Sequence, residues 1–188
     1  APSPTLSSVI FRPLAVIWVS GASIGPPRAE ASAWLLSGAM AKREGLGSSG
    51  SSSKPGRGAA ALATVFKYYW REAVTEELFL TLIAGRLSVA ELKERVRNGL
   101  TLTDLKRAAE AVKFSAVIGR LTIEKLADSK LPLIVGITVN DYDHFVVVRG
   151  VVGDYVYLAD PIYGKQRVLI KKFEESWQEN AILAVIKP

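Results

Sequence analysis

The sequence predicts an α+β domain, a helical first half packed on a mostly antiparallel sheet. Between Gly58 and Phe114 the apolar residues recur at helical spacing behind recognisable N-cap residues, whereas from Ser115 onward they fall into short β-branched runs separated by turn residues. Helical and strand signals are segregated along the chain, which argues against the alternation of a doubly wound parallel sheet. The chain has 188 residues, 49% of them hydrophobic, enough apolar material for one well-buried domain and too little for two.

Taken in order, the first thirty-odd residues read as an export signal. Arg12 precedes an apolar stretch from Leu14 to Ile24, then Pro26-Pro27 and the small triplet Ala31-Ser32-Ala33. The apolar run is about eleven residues, short of the roughly twenty that a spanning helix needs. Residues 1–33 are therefore expected to be a signal peptide cleaved before Trp34, with a periplasmic or secreted product; left uncleaved, this segment would be the only membrane contact. Residues 34–57 are expected to be a flexible segment, ending in the Gly/Ser-rich run Gly45–Gly58 that has almost nothing to bury.

The folded domain is expected over 58–188. Ala59-Ala60-Ala61-Leu62-Ala63-Thr64-Val65-Phe66-Lys67-Tyr68-Tyr69 is rich in helix formers, and its alanines allow a neighbour to approach closely, so it is the expected central helix. Three more helix starts follow at Thr75, at Ser88 with the capping box Ser88-Val89-Ala90-Glu91, and at Thr103 leading to Phe114. Strands are expected at Ser115–Leu121, Leu133–Val139, His144–Val151, Tyr155–Ala159, Gln166–Ile170 and Ala181–Ile186, with short helices at Ile123–Ala127 and Lys171–Trp177.

The formal charge is +6, but cations are scattered among acidic residues, which speaks against nucleic acid as a partner. The chain has no cysteine and a single histidine. Disulfides, cysteine-ligated metals and a thiol nucleophile are excluded, and one histidine without cysteines makes a poor zinc site. Neither a phosphate-binding glycine loop nor any other cofactor signature is present, so no cofactor is expected.

That lone histidine, His144, opens a strand, and Asp160 closes the next one ahead of Pro161, which ends pairing there. A hairpin would bring them together, letting the carboxylate hold one imidazole nitrogen while the other accepts a proton. Register decides this. A regular two-residue turn at Gly153-Asp154 would set Asp160 opposite Val147, on the face away from His144; a three-residue turn or a bulge would set it opposite Val146, on His144's face. The sequence reading favours the second arrangement.

Gly58-Ala59-Ala60-Ala61-Leu62-Ala63-Thr64, Gly99–Lys106, Leu131–Val135, His144-Phe145-Val146-Val147-Val148 and Ala159-Asp160-Pro161 together resemble the bacteriocin-processing, double-glycine leader peptidases. The resemblance implies a papain-like cysteine peptidase fold over about Gly58 to Ile186 and cleavage of leader peptides after Gly-Gly. It points to the stand-alone exported type, of which some members accompany functional-amyloid secretion. It makes His144 the general base and Asp160 its orienting partner, and puts the nucleophilic cysteine immediately before Gly58. That position is Arg57. The oxyanion-stabilising glutamine is expected near Ser51, where the chain offers only Gly, Ser, Lys and Pro.

An arginine cannot attack a carbonyl, and Ser51, Ser52 and Ser53 have no placed base. Two functions stand: a thiol-peptidase lineage acting on Gly-Gly leader or secreted-precursor peptides but inactive as written, or a non-catalytic peptide-binding scaffold in secretion. The abrupt composition between Leu46 and Gly58 also fits a damaged copy of an active enzyme.

Overall fold

A computed structural model of the protein describes residues 54–188; the expected signal peptide and residues 34–53 lie outside them. Helix α1 spans Lys54–Val65 and continues as a π-helical turn, Phe66–Trp70, that ends at Arg71 in the left-handed region (φ 57°). The expectation of a loop as far as Arg57 is corrected here, because Lys54–Arg57 form the first turn of α1. Pro55 suits that turn, since it lacks only an N–H the first turn does not use, and Gly56 and Gly58 are buried against neighbours.

Helices α2 (Glu76–Ala84), α3 (Val89–Asn98) and α4 (Leu102–Ala111) complete the helical layer. Thr75 caps α2, and Ser88 with Glu91 forms the capping box of α3. The N-cap of α4 is Thr101, not Thr103: the Thr101 hydroxyl accepts the Asp104 N–H while the Asp104 carboxylate accepts from Thr101 and from Arg95 Nε at 2.6 Å. The sequence holds two threonines ahead of Asp104, and only Thr101 stands the three positions earlier that the box requires.

Six strands follow: β1 Ser115–Arg120, β2 Leu133–Val139, β3 Tyr142–Val152, β4 Tyr155–Asp160, β5 Gly164–Leu169 and β6 Ala181–Ile186. They form one antiparallel sheet in the order β1-β6-β2-β3-β4-β5. Helix α5 (Ile123–Ala127) leads into β2, and α6 (Ile170–Ser176) with the 3-10 turn Gln178–Asn180 joins β5 to β6.

The sheet buries both faces. One, with Ile134, Val147, Ala159 and Leu183, packs against Ala59, Ala61, Leu62, Val65 and Phe66 from α1 and its extension. The other, with Val135, Val146, Val148, Val156 and Leu158, packs against Leu126, Phe173 and Trp177. Small residues let α1 lie close to β3: a Cβ at Gly58 would meet Phe145 Cδ2 at 3.2 Å and Leu100 Cβ at 3.3 Å. Phe66, fully buried, is wedged between the rings of Phe79 and Phe114 at centroid distances of 5.0 and 4.5 Å.

Two substitutions test this packing by urea unfolding. Phe66→Ala should lower stability by about 3–5 kcal/mol through lost transfer energy and a residual cavity. Gly58→Val should lower it by about 1–3 kcal/mol, because Phe145 and Leu100 must move; a neutral result would show that α1 does not approach β3 this closely.

Candidate active site

The β3–β4 hairpin builds the His144–Asp160 pair by combining a tight turn with a bulge. Gly153 and Asp154 form a two-residue connection with Val152 opposite Tyr155, and Gly153 takes a positive φ of 55° without a Cβ penalty. Left alone, that turn would send Asp160 to the wrong face. Between Val148 and Gly150 the register slips by one residue, so that Val148 faces Leu158 and Val147 faces Ala159. Arg149 is the extra residue. The shift places Asp160 across from Val146, diagonal to His144 and on its face.

His144 Nε2 lies 2.9 Å from Asp160 Oδ2, with the two side chains only 8% and 2% exposed. A carboxylate can only accept, so Nε2 carries the hydrogen, and in the neutral ring Nδ1 keeps its lone pair. The other carboxylate oxygen, Oδ1, accepts the backbone N–H groups of Ile162 and Tyr163 at 2.8 and 3.1 Å. Burial alone would raise the Asp160 pKa, but the hydrogen bond from His144 and the two backbone bonds outweigh it, and the carboxyl titrates below its usual range.

The first turn of α1 sits against the same end of β3. The Arg57 guanidinium lies over the Tyr142 ring, 5.1 Å from its centroid, and Gly58 abuts Phe145; these partners flank His144 at two residues before and one after. The first turn of α1 thus meets β3 at the end that carries His144. Ser51, Ser52 and Ser53 lie outside the described residues.

A groove of about 890 Å³ opens beside this end of the sheet, lined by Leu100, Leu102, Ile118, Gly136, Phe145 and Gln178 among others. The sequence reading did not single out Gln178. Its amide nitrogen donates to Thr138 Oγ1 at 2.9 Å and to Asp143 Oδ1 at 2.7 Å, fastening the turn after α6 to the tip of the β2–β3 hairpin. Gly136 makes room for it, since a Cβ there would overlap Gln178 Oε1. Gly136 sits in a β-branched run, and an interior strand glycine was the one legible sign of a close approach.

Acid unfolding tests the pair. A carboxyl depressed in the folded state contributes stability that is present above its unfolded value of about 3.9 and is lost as pH falls through the lower folded value. Asp160→Asn should therefore lower stability at neutral pH and flatten the loss of stability below about pH 4. An unchanged acid slope would mean that Asp160 is not held ionised by His144. Because His144 is the only histidine, its ¹⁵N spectrum is unambiguous and should show the Nε2–H tautomer at about pH 8, with mixed tautomers in Asp160→Asn.

The Peptidase C39 family signature matches residues 51–188. The chain is 33% identical over 129 residues to the probable functional amyloid protease FapD of Pseudomonas aeruginosa, covering 69% of this chain and 55% of that protein. It is 31% identical over 121 residues to FapD of Pseudomonas fluorescens, covering 64% of this chain and 52% of the relative. The chain thus spans about half the length of these relatives. Among solved structures, a double glycine motif protease from an AMS/PCAT transporter, crystallised with the leader peptide, superposes with a TM-score of 0.56 at 27% identity over 70% of this chain and 84% of that one. The peptidase domain of Streptococcus ComA gives 0.57 at 19% identity, over 71% of this chain and 93% of its own, which bears on the fold alone. The α+β architecture is therefore that of the double-glycine peptidase domains, and the chain belongs to the peptidase C39 family.

Proposed function

We propose that this chain binds a leader-type or secreted-precursor peptide in the manner of a double-glycine peptidase and, as its sequence stands, does not cut it. The observation that carries this reading is the His144–Asp160 pair, read as base and orienting carboxylate, at the end of β3 that the first turn of α1 meets through Tyr142, in a chain without a cysteine. In this reading Nδ1 of His144 is the proton acceptor, Asp160 fixes the ring, and Arg57 occupies the position of the nucleophile.

Physical chemistry explains the lost step. A cysteine at a helix N-terminus is activated because the helix dipole and a nearby imidazolium both stabilise its thiolate. A guanidinium has no lone pair to offer a carbonyl and stays protonated. The groove remains. Its apolar residues Leu100 and Phe145 also touch the α1 first turn through Gly58, so an extended peptide lying there would run toward Arg57. The probable functional amyloid protease FapD and the leader-bound transporter protease give this substrate class its precedent. The described residues contain no helix long and apolar enough to cross a membrane, and periplasmic or secreted placement is part of the proposal through the segment at 1–33.

A labelled Gly-Gly leader peptide tests the reading directly. The unaltered chain should bind it, by fluorescence anisotropy, and leave it intact by mass spectrometry. Arg57→Cys should introduce cleavage after Gly-Gly, and adding His144→Ala should reduce that rate by at least about 10²-fold. Binding without cleavage even in Arg57→Cys would favour the peptide-holding scaffold. Cleavage by the unaltered chain would overturn the assignment of Arg57 to the nucleophile position.

A second reading has its own motive: the Gly/Ser-rich composition of Leu46 to Gly58 covers the stretch where the family's glutamine and cysteine are expected. Sequencing the gene there and translating all frames decides it. A cysteine codon immediately before Gly58 in another frame would make the natural protein an active thiol peptidase.

A further inference from the structure

Most of the chain mixes its charges, but Pro161–Phe173 carries Lys165, Arg167, Lys171 and Lys172 and no acidic residue. All four cations are exposed. This segment is β5, the outermost strand on its side of the sheet, and the first turn of α6 that follows it directly. None of the four forms a salt bridge among the described residues.

Apolar and aromatic side chains accompany them. Tyr163 is 71% exposed, Val152 57% and Leu169 44%. Val152, Tyr155 and Leu169 form one cross-strand row, with Tyr157 and Arg167 opposed in the next, and Arg167 lies 4.6 Å from the centre of the Tyr155 ring. The nearest carboxylates in sequence, Glu174 and Glu175, follow Lys171 and Lys172 on the same helix, whereas β5 itself carries none. Folding also disfavours the arrangement: the first turn of α6 carries Lys171 and Lys172 after Ile170, with no acidic residue there and no side-chain cap, although a helix start disfavours positive charge. Where a local rule is broken without a gain in packing, function is the usual reason.

We propose that this edge of the sheet, β5 with the start of α6, docks on an anionic phospholipid bilayer. Cations flanked by exposed Tyr, Leu and Val match the headgroup layer, where lysine and arginine meet lipid phosphates and the rings and aliphatic chains sink to the acyl boundary. A soluble polyanion would use the charges alone and leave the apolar fringe without a role. This contact is separate from the one the N-terminal segment would make if left uncleaved and does not rest on the peptide-binding reading.

The test is flotation of the full chain with vesicles of phosphatidylcholine alone and with about one-third phosphatidylglycerol. The full chain should bind the anionic vesicles at least about tenfold more tightly, and about 0.5 M salt should remove the difference. The variant K165Q/R167Q/K171Q/K172Q keeps residues 1–53 and should lose the preference. Val152→Ser, which leaves every charge in place, should weaken binding about fivefold. The idea is overturned if the quadruple variant floats like the parent, since another segment would then carry the binding, or if the parent shows no preference for anionic lipid. It is equally overturned if Val152→Ser changes nothing while heparin competes fully, which would mark a soluble polyanion site, or if the four substitutions abolish a concentration-dependent dimer instead of flotation.

Discussion

The close approach of α1 to β3 is the contact on which the remaining structure depends. Gly58, Ala59 and Ala61 present almost no side chain, so the helix backbone lies against the sheet and Phe145 and Leu100 fill the space left at Gly58. Everything else is set from this seam. The same contact carries Phe66 into the ring cluster with Phe79 and Phe114, fixes the remaining helices, and brings the first turn of α1 to the end of β3 where His144 stands. A larger residue at Gly58 would thus disturb core and candidate site together, since both are built on one interface.

How much of this was legible in the sequence follows the range of the interactions involved. The strands Leu133–Val139 and Ala181–Ile186, the helix Ile123–Ala127 and the capping box at Ser88 were readable to the residue, because each is fixed by neighbours a few positions apart. The bulge was legible only conditionally: pairing His144 with Asp160 required one extra residue, but nothing local marked Arg149 as that residue. The α4 cap was misplaced by one threonine although its signal is local: Thr101 alone has an acidic residue three positions on. The start of α1 was missed because Gly-Ser-Pro composition argues for a loop, whereas burial of Gly56 and Gly58 in tertiary contacts overrides propensity. Gln178 had no local signal, since its partners Thr138 and Asp143 lie 40 and 35 residues away.

The His144–Asp160 pair bears on function less directly than its geometry suggests. Both side chains are nearly inaccessible, and removing one partner from a buried hydrogen-bonded pair leaves the other with its full desolvation cost, about 1–3 kcal/mol for a neutral group and more for a charge. Asp160 also accepts two backbone N–H groups that shape the turn at Pro161–Tyr163 and lead into β5. A chain that had lost its nucleophile would therefore still be held to this pair by stability. The pair thus fits the architecture of the family without showing an activity, and it is the groove and Arg57, which the fold does not require for its core, that distinguish a peptide holder from a former enzyme with no remaining ligand. Of the two, the groove is the sharper discriminator: Arg57 already has a partner within the fold in the Tyr142 ring, and that contact offsets the roughly 0.3–1 kcal/mol by which a helix start opposes an exposed cation, so its charge needs no bound ligand to account for it.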